Sequence, residues 1–195
     1  YSPHHLAFPD PSQDQNNWKW QLRNRINTKE KLAKYFNLTE SESLALEKHR
    51  NTLPLAITPY YLSLIDPKDE NDGLRKTLIP RLAEFERTEG ELIDPLNEEN
   101  LSPVKSIVHR YPDRVLFLVT PNCAVYCRYC TRGRLVGSSE VHFTEKHWQE
   151  GIDYIQSHPE VRDVLISGGD PLFLGDKQLD WILNAARGAQ KSCSA

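Results

Sequence analysis

From Asn17 to about Ile65 apolar residues recur at mixed spacings of three and four, the period of a helix, and strict alternation is scarce. Trp18, Leu22 and Ile26 carry this rhythm together with Gln21 and Arg25. Thr28 stands where a helix N-cap would, with Lys31 rather than an acid at the position that completes a capping box. Thr39 is a second cap. It is followed by Glu40 and Glu42 in the first turn and by Lys48, His49 and Arg50 in the last, the charge polarity a helix dipole favours. Prolines 54, 59 and 67 cut the next stretch into short helices, and Pro80 suits the first turn of a helix over 80–87. Residues 88–114, "TEGELIDPLNEENLSPVKSIVHRYPDR", are turn-rich and proline-interrupted, and read as a connecting segment.

The rhythm changes at Arg114. "RVLFLVT", β-branched and aromatic between Pro112 and Pro121, predicts a strand buried on both faces. Thr144 caps a helix with Trp148, Ile152 and Ile155 on one stripe, "RDVLISGG" from Arg162 predicts a second buried strand, and a helix from Gly175 has Leu179, Ile182 and Leu183 on one face. Strand, helix, strand, helix implies parallel βα units, whose chemistry sits in the loops at the carboxyl ends of the strands. Residues 121–137 and 168–175 are those loops. The expected organisation is a helical region with its linker over 1–107, then an α/β part over 108–195.

Composition narrows the class. Of 195 residues, 38% are hydrophobic and 26% charged, ordinary for a globular chain. A run of the roughly 18 apolar residues that a membrane span needs is missing, and the start, "YSPHHLAFPDPSQDQNNW", lacks the basic flank and apolar core of a secretory signal. That start reads as an extended or disordered lead-in, and the cytoplasm is the expected compartment. A formal charge of −3 removes the excess of Lys and Arg expected of a nucleic-acid binder. The sequence contains no Met, even at position 1, and closes no recognisable unit at "NAARGAQKSCSA"; it reads as a fragment of a longer chain.

Chemistry concentrates in "TPNCAVYCRYCTRG", residues 120–133, which holds three of the four cysteines within eight positions. An odd trio cannot pair completely into disulfides. Structural zinc usually takes four ligands, and Cys193 lies far downstream, so a zinc module would need a partner ligand. An iron-sulfur cluster takes thiolates, and three of them leave one iron of a [4Fe-4S] cluster open. "SGGD", residues 167–170, is by itself equally a tight turn from strand to helix. His4, His5, His49, His142, His147 and His158 have no metal-ligand spacing and read as surface residues, with His109 a support for its own loop. Trp18 and Trp20 read as core or subunit-contact positions.

"CAVYCRYC" resembles the C-x3-C-x2-C motif of radical S-adenosylmethionine enzymes, with Tyr129 as the aromatic residue before the last cysteine, and "SGGD" resembles their glycine motif. Over nearly the whole chain, "WKWQLRNRI", "ITPYYLSLID", "DPLNEENLSPV", "HRYPDRVLFLVT" and "CRYCTRGRLVG" are similar to the lysine 2,3-aminomutase family. The resemblance implies an α/β fold in which an N-terminal helical region precedes the first βα units of a partial (β/α) TIM-like radical SAM barrel.

It implies Cys123, Cys127 and Cys130 as cluster ligands. Gly168, Gly169, Asp170 and Tyr129 would contact S-adenosylmethionine, and Arg132 the substrate carboxylate. Arg110, Tyr111 and Arg114 would hold the phosphate of pyridoxal 5′-phosphate; two guanidiniums can fork onto phosphate oxygens, the other reading being solvated charges beside a strand. Arg134 is expected to be structural or salt-bridged. Relatives carry His where Tyr129 stands and an unbroken basic triplet in place of Arg132, Gly133 and Arg134. The lysine that bonds the pyridoxal belongs to a later part of the family's barrel, and Lys177 and Lys191 match no such context.

The implied reaction is a 1,2-amino migration of the L-lysine to β-lysine type. A 5′-deoxyadenosyl radical from S-adenosylmethionine drives it, with a reductant protein such as flavodoxin or ferredoxin as partner and a homo-oligomer as the assembly. A related aminomutase acting on glutamate or arginine, or making β-lysine for a translation factor, is the neighbouring reading. A non-catalytic metal-binding module is the reading from another class.

Overall fold

Each helix start in the first part of the chain is set by a side chain that caps it. The structure is a computed structural model and describes residues 16–48 and 53–192; the lead-in up to residue 15, His49, Arg50 and Cys193 lie outside the described residues. Asn17 accepts from the Lys19 and Trp20 amides at the start of α1 (Trp18–Arg23), and Thr28 from Lys31 at the start of α2 (Lys29–Leu32). Thr39 and Glu42 cap each other's amides at the start of α3 (Glu40–Lys48), at 3.2 and 2.8 Å. Thr58 opens α4 (Pro59–Ser63) and Asp72 opens α5 (Gly73–Leu78). Where a helix was expected over 80–87, only a 3-10 turn forms, Leu82–Phe85. Trp18 is 47% exposed and does not enter a core.

Later elements are β1 (Ile107–Tyr111), β2 (Arg114–Thr120), α6 (Glu145–Gln156), β3 (Asp163–Gly168) and α7 (Asp176–Ser192). They form a mixed α/β arrangement with a three-stranded sheet in the order β1-β2-β3. β2 and β3 are parallel, with Leu116 opposite Leu165 and Thr120 opposite Gly168. β1 lies in the stretch read as a connection and pairs antiparallel with β2, Ile107 opposite Phe117. Only Ile107 and Val108 of that strand are buried, too short an alternation to mark it without its neighbour. β2 is buried along most of its length, as expected. β3 is instead half-exposed, Leu165 at 52%, because the described residues place no strand beyond it.

Proximity divides the chain into two compact units: Tyr1–Glu91 with Ala124–Gly133, and Leu92–Cys123 with Arg134–Ala195. The core of the first gathers Ile26, Leu32, Phe36, Leu55, Ile57, Leu62, Ile65, Leu78 and Ile79, with Ile26 and Ile57 exchanging backbone hydrogen bonds at 2.8 and 3.0 Å. Under it lies a buried ion pair. The Arg75 guanidinium donates to both Glu42 oxygens, at 2.9 and 2.8 Å, and to the Asn37 carbonyl at 2.9 Å, which satisfies a charge that would otherwise be costly to bury. Burial pushes the Glu42 carboxyl up, but Arg75 and the Thr39 amide more than offset it, leaving it below the ordinary carboxylate range.

In the second unit α6 lies on the sheet, burying Trp148, Ile152 and Ile155 as its stripe predicts, each large side chain contributing about 1.5–3 kcal/mol. The Trp148 indole donates to the Val119 carbonyl at 3.0 Å, and the Ser106 hydroxyl to the His147 carbonyl at 2.6 Å. A Cβ on Gly151 would sit 2.8 Å from Phe117 Cε2, so the glycine sets how closely helix and strand approach. His147 also accepts from the Thr144 amide at 3.1 Å, a capping role the sequence reading missed. α7 buries Ile182, Ala186 and Ala189, and the expected Leu183 is 51% exposed. No helix among the described residues is long and apolar enough to cross a membrane.

Replacing Glu42 by Gln strands the Arg75 charge and is expected to cost about 3–5 kcal/mol at neutral pH, measured by urea unfolding. Because folding lowers the Glu42 pKa, its contribution is full above the ordinary carboxylate value and fades as pH falls through the folded one. The wild type therefore loses stability more steeply on acidification than Glu42→Gln does.

Candidate functional site

Two parallel strands that end side by side place their following loops side by side. β2 stops at Thr120 before Pro121 and β3 stops at Gly168, its partner in register. The Gly169 amide donates to the Thr120 carbonyl at 2.5 Å and the Asp170 amide to the Asn122 carbonyl at 2.8 Å. Gly168 has φ +119°, a backbone region other residues rarely adopt. A Cβ on Gly168 would collide with the Thr120 carbonyl, and one on Gly169 with that of Asn122. The glycine motif is therefore required by a close backbone approach, with its turn sewn to the residues just before Cys123. Asp170 accepts from the Leu172 amide at 3.0 Å and caps the 3-10 turn Pro171–Phe173. Thr120 and Asn122 were not singled out in the sequence, since they act through main-chain carbonyls that any residue carries.

Beyond Cys123 the loop belongs to the first unit. Cys130 N donates to Cys127 O at 3.0 Å, closing a turn with Cys127 and Cys130 at its two ends, and Gly133 N donates to Cys130 O in the next turn, which contains a half-buried Arg132. Tyr126 N bonds Ala56 O at 3.1 Å and Arg128 N bonds Thr77 O at 2.8 Å. Tyr129 is 71% exposed. Its hydrogen bond to the Cys127 sulfur, reinforced by that group's negative charge, holds the phenol above its usual range.

Arg134 is ion-paired, as expected. Its guanidinium lies 3.2 Å from Asp94 and 3.1 Å from Glu99, with Glu98 at 3.7 Å. Partial burial raises the Asp94 carboxyl, but the amides of Glu99 and Glu98 and the Arg134 charge bring it below its ordinary value.

The "HRYPDR" residues gather at the tip of the β1–β2 hairpin. Arg110 and Tyr111 open onto a groove of about 520 Å³ that Asn100, Ser102, His109 and Tyr154 also line. There His109 Nδ1 lies 2.7 Å from the Tyr154 hydroxyl. Arg114 is paired with Asp113 at 3.2 Å and does not line the groove; the pair raises the arginine's pKa and lowers the aspartate's. Arg114 begins β2 and Thr120 ends it, so the structure does not bring this tip together with the glycine turn. Lys177 lines a separate cavity between α6 and α7, remote in character from either place, with Trp148 and Trp181.

Cys123, Cys127 and Cys130 form no disulfide among the described residues, and each is half-buried. Among the described residues, no three His, Cys, Asp or Glu side chains are gathered as they would be around a metal ion. The donor chemistry nevertheless fits a thiolate-ligated cluster. Three thiols are spared from disulfides within eight positions, and thiols are the donors such a cluster takes. The guanidinium and phenol at the groove likewise fit an oxyanion.

The chain is similar to several longer proteins. One from Clostridium subterminale named L-lysine 2,3-aminomutase is 49% identical over 181 residues, 92% of this chain and 44% of its own length. Another with that name, from Bacillus subtilis strain 168, is 45% identical over 91% of this chain and 38% of its own length. A protein named glutamate 2,3-aminomutase, from Clostridioides difficile strain 630, is 45% identical over 88% of this chain and 40% of its own length. The chain thus spans less than half the length of these relatives. A scan against protein-family models gives no match.

Substituting Gly169 by Ala is expected to destabilise the protein by about 1–3 kcal/mol, since the colliding partner is backbone and cannot rotate away. Urea unfolding of the variant measures this; a Gly175→Ala control, whose added Cβ meets only the Gln178 side chain at 3.7 Å, lacks that collision.

Proposed function

We propose, from the premise that the chain belongs to the lysine 2,3-aminomutase family, that it is part of a radical S-adenosylmethionine enzyme moving an amino group between the α and β carbons of an amino acid, an isomerase. The observation that carries this reading is the hydrogen-bonded approach of the glycine turn, residues 168–170, to Thr120 and Asn122, directly before the first of three spared thiols. Cys123, Cys127 and Cys130 would hold a [4Fe-4S] cluster. Gly168, Gly169 and Asp170, with Tyr129, would take S-adenosylmethionine. Arg110 and Tyr111, with Arg114 if it leaves Asp113, would take the phosphate of pyridoxal 5′-phosphate. When bound, the cluster and S-adenosylmethionine supply a radical that removes substrate hydrogen, and the pyridoxal carries the migrating nitrogen.

The chain's own residues bind and orient. The turn from Cys127 to Cys130 carries two thiols at its ends, and with Cys123 they would supply three ligands, which would leave one iron of a [4Fe-4S] cluster without a protein thiol. Gly168 and Gly169 let the turn close onto the Thr120 and Asn122 carbonyls, which fixes Asp170 beside the residues that lead into Cys123. Arg132 offers a fork for a substrate carboxylate. The fold of the whole is read as a partial (β/α) barrel begun by β2, α6, β3 and α7. A flavodoxin- or ferredoxin-type reductant and a homo-oligomeric assembly complete the proposal.

Lysine is the substrate favoured by the names of most of the relatives quoted. Glutamate is the second reading, favoured by the 45% identity to a protein of that name.

Full-length protein reconstituted anaerobically with iron and sulfide is expected to give a reduced cluster whose electron paramagnetic resonance signal changes when S-adenosylmethionine is added. Product analysis with lysine and glutamate then identifies the β-amino acid. A folded protein with an unchanged signal, or with one zinc and no sulfide per chain, overturns the reading.

A further inference from the structure

Between Cys127 and Cys130 stands a residue whose side chain is held more tightly than either thiol. Arg128 occupies the first corner of the turn that the two cysteines end, and its side chain is only 5% exposed. Its Nε donates to both Glu84 carboxylate oxygens at 3.0 Å, and Nη2 donates to Oε2 at 2.6 Å. Nη1 reaches the Leu53 carbonyl at 2.9 Å and that of Pro54 at 3.3 Å. The Arg128 amide is itself fixed to Thr77 O at 2.8 Å, and the neighbouring Tyr126, 8% exposed, to Ala56 O at 3.1 Å. One residue thus ties the turn to three separate places in the chain: its side chain to 53–54 and to 84, its main-chain amide to 77.

Resting on the proposed cluster role of the thiols, we infer that Arg128 is a positioning residue: it locks the Cys127–Cys130 turn onto the helical unit and so fixes the placement of two of the three ligands. A lysine has one point of charge and cannot serve a carboxylate and two carbonyls in one plane, whereas the guanidinium fork can. Glu84 offsets the guanidinium's charge, so Arg128 acts by placement rather than by its field on the sulfurs. Anchoring by Arg128 and Tyr126 also leaves both cysteines free of structural hydrogen-bonding duty to the helices. Side chains that orient metal ligands in this way typically change metal retention when removed.

The test uses full-length protein, reconstituted anaerobically, as wild type, Arg128→Gln, Arg128→Lys and Glu42→Gln. The last breaks an ion pair of the same unit that touches no cysteine. Folding is followed by circular dichroism, iron loss by challenge with a chelator, and the reduced cluster by electron paramagnetic resonance. Arg128→Gln is expected to release iron about tenfold more readily, with a changed line shape, and Arg128→Lys to recover only part of the loss. Glu42→Gln is expected to lower the melting temperature and leave both cluster readouts at the wild-type level. Should Arg128→Gln not fold, Arg128→Lys is read in its place against the same wild-type values.

A folded Arg128 variant with wild-type retention and spectrum overturns the inference, as does equal iron loss in Glu42→Gln, which would tie retention to stability alone. Wild-type protein that takes up no cluster overturns the functional reading and this inference with it.

Discussion

Everything at the strand edge depends on how closely two stretches of backbone approach. Gly169 and Asp170 donate to the Thr120 and Asn122 carbonyls, and side chains at 168 and 169 would fill the space those bonds require. The approach is possible because β2 and β3 run parallel in one register as far as Leu118 and Ser167, and a one-residue irregularity at Val119 then sets Thr120 opposite Gly168. That register depends in turn on a buried β2, against which α6 packs through the gap left by Gly151. The Trp148 indole bonds the Val119 carbonyl one residue before the strand's end, joining helix, strand and loop origin in a single packed layer. A change of one residue in register would turn the buried side chains of β2 outward and carry the loop origins apart.

Patterns that act locally were legible in the sequence. The caps at Thr28 and Thr39 and the start of α6 after Thr144 are where the spacing puts them, and so is the apolar run of β2. What escaped depends on partners distant along the chain. β1 is a strand because β2 offers Phe117 and Leu116 to Ile107 and Val108, and nothing in "SIVHRYP" itself outweighs its proline-rich setting. α7 buries Ala186 and Ala189 where a hydrophobicity-led reading favours Leu183, because closely packed helices select for small side chains as well as large ones. The thiols and glycines of the candidate site were visible by type and spacing, but the carbonyls that receive the glycine turn have no sequence signature.

Arginines show the same division sharply. Arg75, Arg128 and Arg134 are all withdrawn from solvent beside carboxylates, while Arg110 is exposed on an open groove. Nothing in their immediate neighbours separates these fates. Arg75 finds Glu42 33 residues away and Arg128 finds Glu84 44 residues away, so the pairing is a property of the fold. Arg114 is the contrasting case: Asp113, its neighbour in sequence, already holds it, and an incoming phosphate would have to compete with that carboxylate.

A loop meant to bind through its thiols has a structural difficulty, since the side chains that would ordinarily anchor it must stay uncommitted. Cysteine is among the most readily buried residues and, packed into the core, would lose access to a ligand. Here burial is delegated to the intervening positions: Tyr126 and the Arg128 side chain go inward, Cys127 and Cys130 remain half-buried, and Tyr129 faces out. An apolar residue at 128 could bury equally well but would leave the Leu53 and Pro54 carbonyls and the Glu84 carboxylate without this donor, a cost that grows as water is excluded. The guanidinium fork meets all three demands at once, so the turn is fixed by charge and hydrogen bonding through Arg128 rather than by burying Cys127 or Cys130.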